Sequence, residues 1–216
     1  LEVDHRHAKT DVSESIQFLM DELELKERDY YSINGPLDLT FIFQISSMLK
    51  ADFPELAYQP FQPTIPTELK DNDLFEVIEK QDVFLHHPYD SFDPVVAFIN
   101  EAADDKDTWA IKQTLYRVSK DSPIVGALKR AAENGIQVTV LVELKARFDE
   151  ENNVHWAKEL EESGANVLYG MSDLKTHSKI ALVVKKKNGK MIRYVHLGTG
   201  NYNDQTAKLY EDMGIM

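Results

Sequence analysis

Between residues 83 and 169 the chain alternates short apolar runs with amphipathic segments, and no other feature narrows the fold as much. "DVFLHHP" reads as a strand, "SFDPVVAFINEAAD" as a helix with Asp93 before Pro94, and "WAIKQTLYRV" as a second strand. "DSPIVGALKRAAENG" reads as a helix capped by Ser122, with Pro123 at its first position and Gly135 as terminator. "IQVTVLVEL" is a continuous apolar run, the pattern of a strand covered on both faces. A helix in "NNVHWAKELEESG" and a strand in "ANVLYG" follow. Such an order implies parallel strands joined by right-handed crossovers, an α/β sheet flanked by helices.

After residue 170 the alternation stops. "HSKIALVV" and "MIRYVHL" flank "KKKNGK", whose Asn188-Gly189 pair is the sequence of a tight hairpin turn. One of these strands must oppose the other, so the expected sheet is mixed: mostly parallel, with a hairpin.

The N-terminal part is different in kind. Residues 11–25 place Ile16, Leu19, Met20 and Leu23 at helical spacing, with Asp11 as N-cap and Glu14 three residues later. A second helix is expected after "NGPLDLT", with Pro36 at its first position. "FPELAYQPFQPTIPTEL" then carries Pro54, Pro60, Pro63 and Pro66 without a period, which reads as a linker or an extended crossover. The expected boundary lies near residue 68, with a partial helical or mixed segment of one domain at 1–68 and the alternating α/β domain at 69–216. Because the chain begins at Leu1 and stops at Met216, it is expected to be a piece of a longer protein.

No apolar run approaches the roughly 20 residues that span a bilayer, and "LEVDHRHAKT" has no signal-peptide core, so a soluble protein is expected. The chain has no cysteine, which excludes disulfides and thiolate metal sites and fits a reducing cytoplasm. A formal net charge of −13 argues against nucleic-acid binding over the whole surface. Residues 171–210 reverse that balance, with eight bases against two acids, a local net of +6. An anion site could lie there. The lysines of "KKKNGK" also suit a solvated hairpin tip.

In open parallel sheets, ligands bind beyond the carboxyl ends of the strands. Those ends carry His86 and His87, Arg117 in "LYRV", and Lys145 and Arg147 in "ELKARFDE". An antiparallel strand starting at His177 would begin at the same edge, and its hairpin partner would return "HLGTGN" to it. His177, Lys179, Asn201, Arg117 and Arg147 could then meet, with His177 and Lys179 on one strand face. Alone, each has an ordinary structural reading; together they suit phosphoryl transfer. A neutral imidazole can attack phosphorus, guanidinium forks and an ammonium bind phosphate oxygens, and the glycines of "GTGN" let backbone N–H groups approach an anion.

"FLHHPYDSFDPVVAFI", "KQTLYRV", "VTVLVELKARFDEENN", "DLKTHSKIALVV", "YVHLGTGNYN" and "AKLYEDMG" resemble polyphosphate kinase of the first type over nearly the whole chain, and "NGPLDLT" resembles the end of that family's preceding domain. The resemblance implies that residues 1–68 are the tail of the family's head domain. Residues 69–216 would be most of its first catalytic domain, with a phospholipase D-like fold, truncated at the C-terminal end. It also implies reversible transfer of the terminal phosphate of ATP to inorganic polyphosphate through a phosphohistidine at His177. By the same resemblance Arg117 and Arg147 belong to a Mg2+ site, and Tyr210 in "AKLYED" contacts the nucleotide. Guanidinium has donors and no acceptor, so the two arginines are expected to hold phosphate oxygens beside the metal.

The expected roles are then His177 as nucleophile, Lys179, Arg117 and Arg147 as stabilisers of phosphate oxygens, and Asn201 with the "GTG" backbone as orienting donors. The partners implied are ATP, ADP and polyphosphate but no nucleic acid, with a homo-oligomeric, cytoplasmic parent that can associate peripherally with the membrane. The family draws a second histidine and further basic residues from a later domain and its nucleotide-base contacts from the N-terminal one, so this piece alone is expected to be inactive. A phospholipase D-type phosphodiesterase is the alternative, but the Asp of that superfamily's pattern corresponds here to Val184. A non-catalytic polyanion-binding module is the other.

Overall fold

The computed structural model describes residues 2–4, 13–119, 121–143, 150–171 and 173–216. It divides into two compact units, Leu1–Pro60 and Phe61–Met216. In the first unit, β1 (Glu2–Asp4) pairs in parallel with β2 (Tyr31–Ile33). Helix α1 (Ser13–Glu22) lies between them in sequence, and α2 (Phe41–Leu49) follows. Asp11, the expected cap of α1, lies outside the described residues. Pro36 does not open α2: the helix starts five residues later, where the Asp38 carboxylate accepts from the Thr40 backbone N–H at 2.8 Å and from its hydroxyl at 2.5 Å.

The second unit is built on a seven-stranded sheet of order β3-β9-β8-β7-β4-β5-β6. Its strands are β3 (Phe84–His87), β4 (Thr108–Leu115), β5 (Gln137–Val142), β6 (Asn166–Tyr169), β7 (Lys179–Lys187), β8 (Lys190–Gly198) and β9 (Asp212–Ile215). Residues 61–69 pack with this unit: Thr64 N–H donates to Tyr89 O at 2.9 Å, and the Phe61 ring meets that of Tyr89 edge-on at 5.7 Å.

Ladders β4-β5 and β5-β6 are parallel, as the crossovers require, and the other four are antiparallel. Five strands nevertheless point one way, because β7 and β9 are the two reversed members. The β7-β8 turn has Asn188 at φ 53° and Gly189 at φ 77°, the two left-handed residues that a two-residue hairpin demands. Strand β9 has no sequence signature, since "DMGI" is short and carries Asp and Gly. Its ladder partners β3 and β8 hold it.

Four helices follow from local chemistry. Helix α3 (Leu74–Ile78) is capped by Asp73, whose carboxylate accepts from Glu76 N–H at 2.8 Å. Next comes α4 (Asp93–Asp104). Helix α5 (Pro123–Glu133) is capped by Ser122 through Val125 N–H at 3.3 Å, a contact of about 1 kcal/mol. Then comes α6 (Glu150–Glu162). The core lies between these helices and one sheet face, where Leu85, Phe98, Ile99, Ile111, Leu128 and Val140 are fully buried, each contributing roughly 1.5–3 kcal/mol.

The opposite sheet face is open: Phe84, Ile180, Leu197, Met213 and Ile215 are 39–56% exposed. Strand β5 is accordingly not covered on both faces. Val138, Val140 and Val142 are buried while Thr139 and Leu141 are half-buried, because same-handed crossovers between neighbouring parallel strands put α5 and α6 on one side.

Candidate active site

Strands β3, β4, β5, β6 and β8 end at one edge of the sheet, and β7 and β9 begin there. This single fact collects His87, Arg117, Glu143, Gly170, Lys179, Gly198 and Asp212 along that edge. Strand β7 starts at Lys179, so His177 and Ser178 precede it. Thr114 extends the ladder in place of a backbone partner: its hydroxyl donates to Ser178 O at 2.7 Å and accepts from Ile180 N–H at 3.1 Å.

His177 and Lys179 differ in burial. The His177 side is exposed, whereas Lys179 is 5% exposed, and its ammonium donates to the carbonyl oxygen of His177 at 2.6 Å. Both meet Tyr116: the His177 ring stands edge-on to it at 5.0 Å and 81°, and Lys179 Nζ lies 5.5 Å from its centroid. The Arg117 guanidinium is also 5.5 Å from that centroid. Burial lowers the Lys179 pKa, Asp212 raises it, and Arg117 lowers it again. Tyr116 is therefore the shared platform of His177, Lys179 and Arg117.

The loop after β8 closes the other side. Thr199 N–H donates to Met213 O at 2.9 Å, and its hydroxyl donates to Asp212 Oδ1 at 2.8 Å, which fastens the loop to β9. Gly200 has no room for a side chain, since a Cβ there would fall 2.5 Å from Asp212 Oδ2. Asn201 is half-buried, and its Oδ1 has no hydrogen-bond partner among the described residues. Ser119 Oγ donates to Asp204 Oδ1 at 2.6 Å, tying the Arg117 segment to this loop.

Beneath the glycines sits His196, 3% exposed, with Nδ1 2.9 Å from the Tyr202 hydroxyl. Burial, with a smaller contribution from His87, pushes its pKa down to about 4. His196 lines a small cavity together with Asn201, Gly200 and Asp212.

The structure thus brings His177, Lys179 and Arg117 together and places Asn201 on the adjoining loop. Arg147 and Lys145 lie outside the described residues. Tyr210 is 64% exposed on the loop before β9, next to Glu211, which pairs with His86 Nε2 at 3.0 Å. Two hairpin lysines are engaged far from the edge: Lys187 pairs with Glu79 at 2.9 Å, and Lys185 pairs with Asp105 at 2.5 Å and lies 3.9 Å over the Phe75 ring. Eight residues of strand separate Lys187 from Lys179, roughly 25 Å. Tyr116, Glu143, Asn153 and His196 join the site only in the folded chain. Glu143, an acid closing an apolar strand, was the one with a visible signal.

Residues 73–216 match the family model described as polyphosphate kinase C-terminal domain 1. The chain is 61% identical over 216 residues to the polyphosphate kinase of Staphylococcus haemolyticus, covering 100% of this chain and 30% of that protein. It is 59% identical over 217 residues to that of Bacillus cereus, with coverages of 100% and 30%. Its fold matches the crystal structure of polyphosphate kinase from Porphyromonas gingivalis with a TM-score of 0.68 and 36% identity, over 86% of this chain and 31% of that one. The shared architecture is the expected phospholipase D-like α/β sheet. This chain spans about 30% of the length of the relatives it matches. With a family model matched over most of its length and relatives near 60% identity, the chain belongs to the polyphosphate kinase family.

Proposed function

We propose that this chain carries the phosphoryl-accepting site of a polyphosphate kinase, in which the terminal phosphate of ATP passes reversibly to inorganic polyphosphate through a phosphohistidine at His177. The observation that supports this reading most is the exposed His177 ring held against Tyr116 beside the buried Lys179 ammonium. A neutral imidazole uses a ring-nitrogen lone pair to form an N–P bond as the bond from phosphorus to the ADP oxygen breaks. A terminal oxygen of polyphosphate then takes the phosphoryl group, and the N–P electrons return to the ring. Lys179 and Arg117 neutralise charge on the transferring oxygens, with Arg147 in the same role and Asn201 donating from the loop after β8. Tyr210 is assigned to the nucleotide, its exposed ring being free to stack. Residues 1–68 are assigned to the tail of the head domain and 69–216 to the first catalytic domain.

Mg2+ is assigned to the phosphate oxygens of ATP. Among the described residues no cluster of three His, Asp or Glu side chains could hold a metal ion, and Arg117 offers only donors, so the side chains present do not fit direct ligation. A phosphodiesterase is disfavoured at Val184, which pairs with Ala110 and Arg193 in the middle of the sheet.

The test is full-length kinase incubated with γ-labelled ATP and analysed for acid-labile phosphate. The label is expected on His177 and absent from His177→Ala. Undiminished histidine labelling in His177→Ala would remove the assignment.

A further inference from the structure

Glu143 stands where β5 runs out, after an otherwise apolar strand, and it is 2% exposed. A carboxylate so placed is expensive unless its oxygens are bonded. Its Oε2 accepts the backbone N–H of Thr176 at 2.8 Å, and Thr176 is the residue immediately before His177. The same oxygen also lies close to Gly170, just after β6, where an added Cβ would fall 2.9 Å from it. The carboxylate is therefore seated between the two ends of the segment that presents His177.

The backbone of Glu143 is fixed just as firmly. Its N–H donates to Leu115 O at 3.0 Å, and its carbonyl accepts Asn153 Nδ2 at 2.9 Å. That same Nδ2 donates to Tyr116 O at 2.8 Å. Tyr116, whose ring flanks His177, and Glu143, whose carboxylate holds Thr176, thus share one anchor on α6.

We infer that Glu143 is a positioning residue for phosphoryl transfer, setting the imidazole of His177 through the Thr176 amide. This rests on the reading of His177 as the phosphoryl carrier. Glu143 is buried under the segment and acts through His177. A reacting group displaced by about 1 Å loses on the order of 100-fold in rate, which is the scale of effect this tether controls.

The experiment measures the rate of phosphohistidine formation in full-length kinase by rapid quench with labelled ATP. Glu143→Ala is expected to lower that rate roughly 100-fold with the ATP concentration for half-maximal loading unchanged. Glu143→Gln keeps an acceptor oxygen and is expected to restore most of it. Gly170→Ala displaces the carboxylate from the opposite side, so it should slow loading in the native background and add nothing to Glu143→Ala. Loading at the native rate in both Glu143→Ala and Gly170→Ala overturns the inference, as does a Glu143→Gln rate as low as that of Glu143→Ala. Should Glu143→Ala not fold, Gly170→Ala against Glu143→Gln decides. His177→Ala run in parallel separates the two readings: label surviving there defeats the carrier assignment, whereas label on His177 that ignores both sites defeats only the tether.

Discussion

The ammonium of Lys179 is folded back onto the carbonyl oxygen of His177, 2.6 Å away, so the cation of the His-x-Lys pair braces the backbone of the histidine two positions before it. It is nearly buried, and burial lowers its pKa against the raising effect of Asp212. A cation held this way has surrendered hydration for place, which costs stability in the free protein and, in the proposed function, readies it for phosphate oxygens.

Lys179→Met should therefore separate activity from stability. With His177 as the proposed phosphoryl carrier, its loading in the full-length kinase is expected to fall by about 100-fold or more, with the melting temperature unchanged or raised. The unfolded chain keeps this proton up to its ordinary pKa of 10.5, and the native chain releases it earlier. Native stability thus gains as pH rises through that window, and the gain should vanish in the variant. Calorimetry between neutral pH and pH 10.5 checks it. A melting temperature that falls along with activity would make Lys179 a structural contact instead.

Tyr116 acts as a surface, since its ring meets His177, Lys179 and Arg117. Tyr116→Phe preserves that surface and is expected to load His177 at nearly the native rate. Tyr116→Ala is expected to lose roughly tenfold or more. Equal losses in the two would transfer the role to the hydroxyl.

His196 predicts an acid-side weakness. Its native pKa of about 4 lies below the unfolded value of 6.5, so the unfolded state binds more protons between them. Stability is full above pH 6.5 and is lost as pH falls toward 4, by about 3 kcal/mol from this group. Chemical denaturation across that range should show the slope in the native protein and a shallower one in His196→Gln. Parallel slopes would assign the acid sensitivity elsewhere.

Gly214 faces the same imidazole across the β8-β9 ladder. A Cβ there would sit 2.8 Å from His196 Nε2, so Gly214→Ala is expected to cost roughly 1–3 kcal/mol by denaturant titration. A native midpoint would mean that the ring has space to retreat.

Much of the frame was legible because it rests on local rules. Ser122, Pro123 and Gly135 delimit α5, and Asn188-Gly189 makes the hairpin, all through interactions within a few residues of themselves. The edge that gathers His177, Lys179 and Arg117 followed from strand direction. Pro36 misled because a proline that suits a helix start suits the turn before one equally well. Strand β9 stayed hidden because its four residues are held by ladders to β3 and β8, which no local pattern records.

The sequence by itself determined the alternating elements, the reversal of β7 against β8, and the histidine that meets the edge, since periodicity and turn chemistry act over short spans. Only tertiary structure decided that Lys179 is buried while His177 is exposed. It alone showed that Lys185 and Lys187 are paired with Asp105 and Glu79 far from the edge, and that Glu143 grips the amide before His177. The physical reason is that burial and hydrogen-bond partnership belong to what the chain packs against. A carboxylate at 143 and an amide at 176 become neighbours only when the sheet has closed between them.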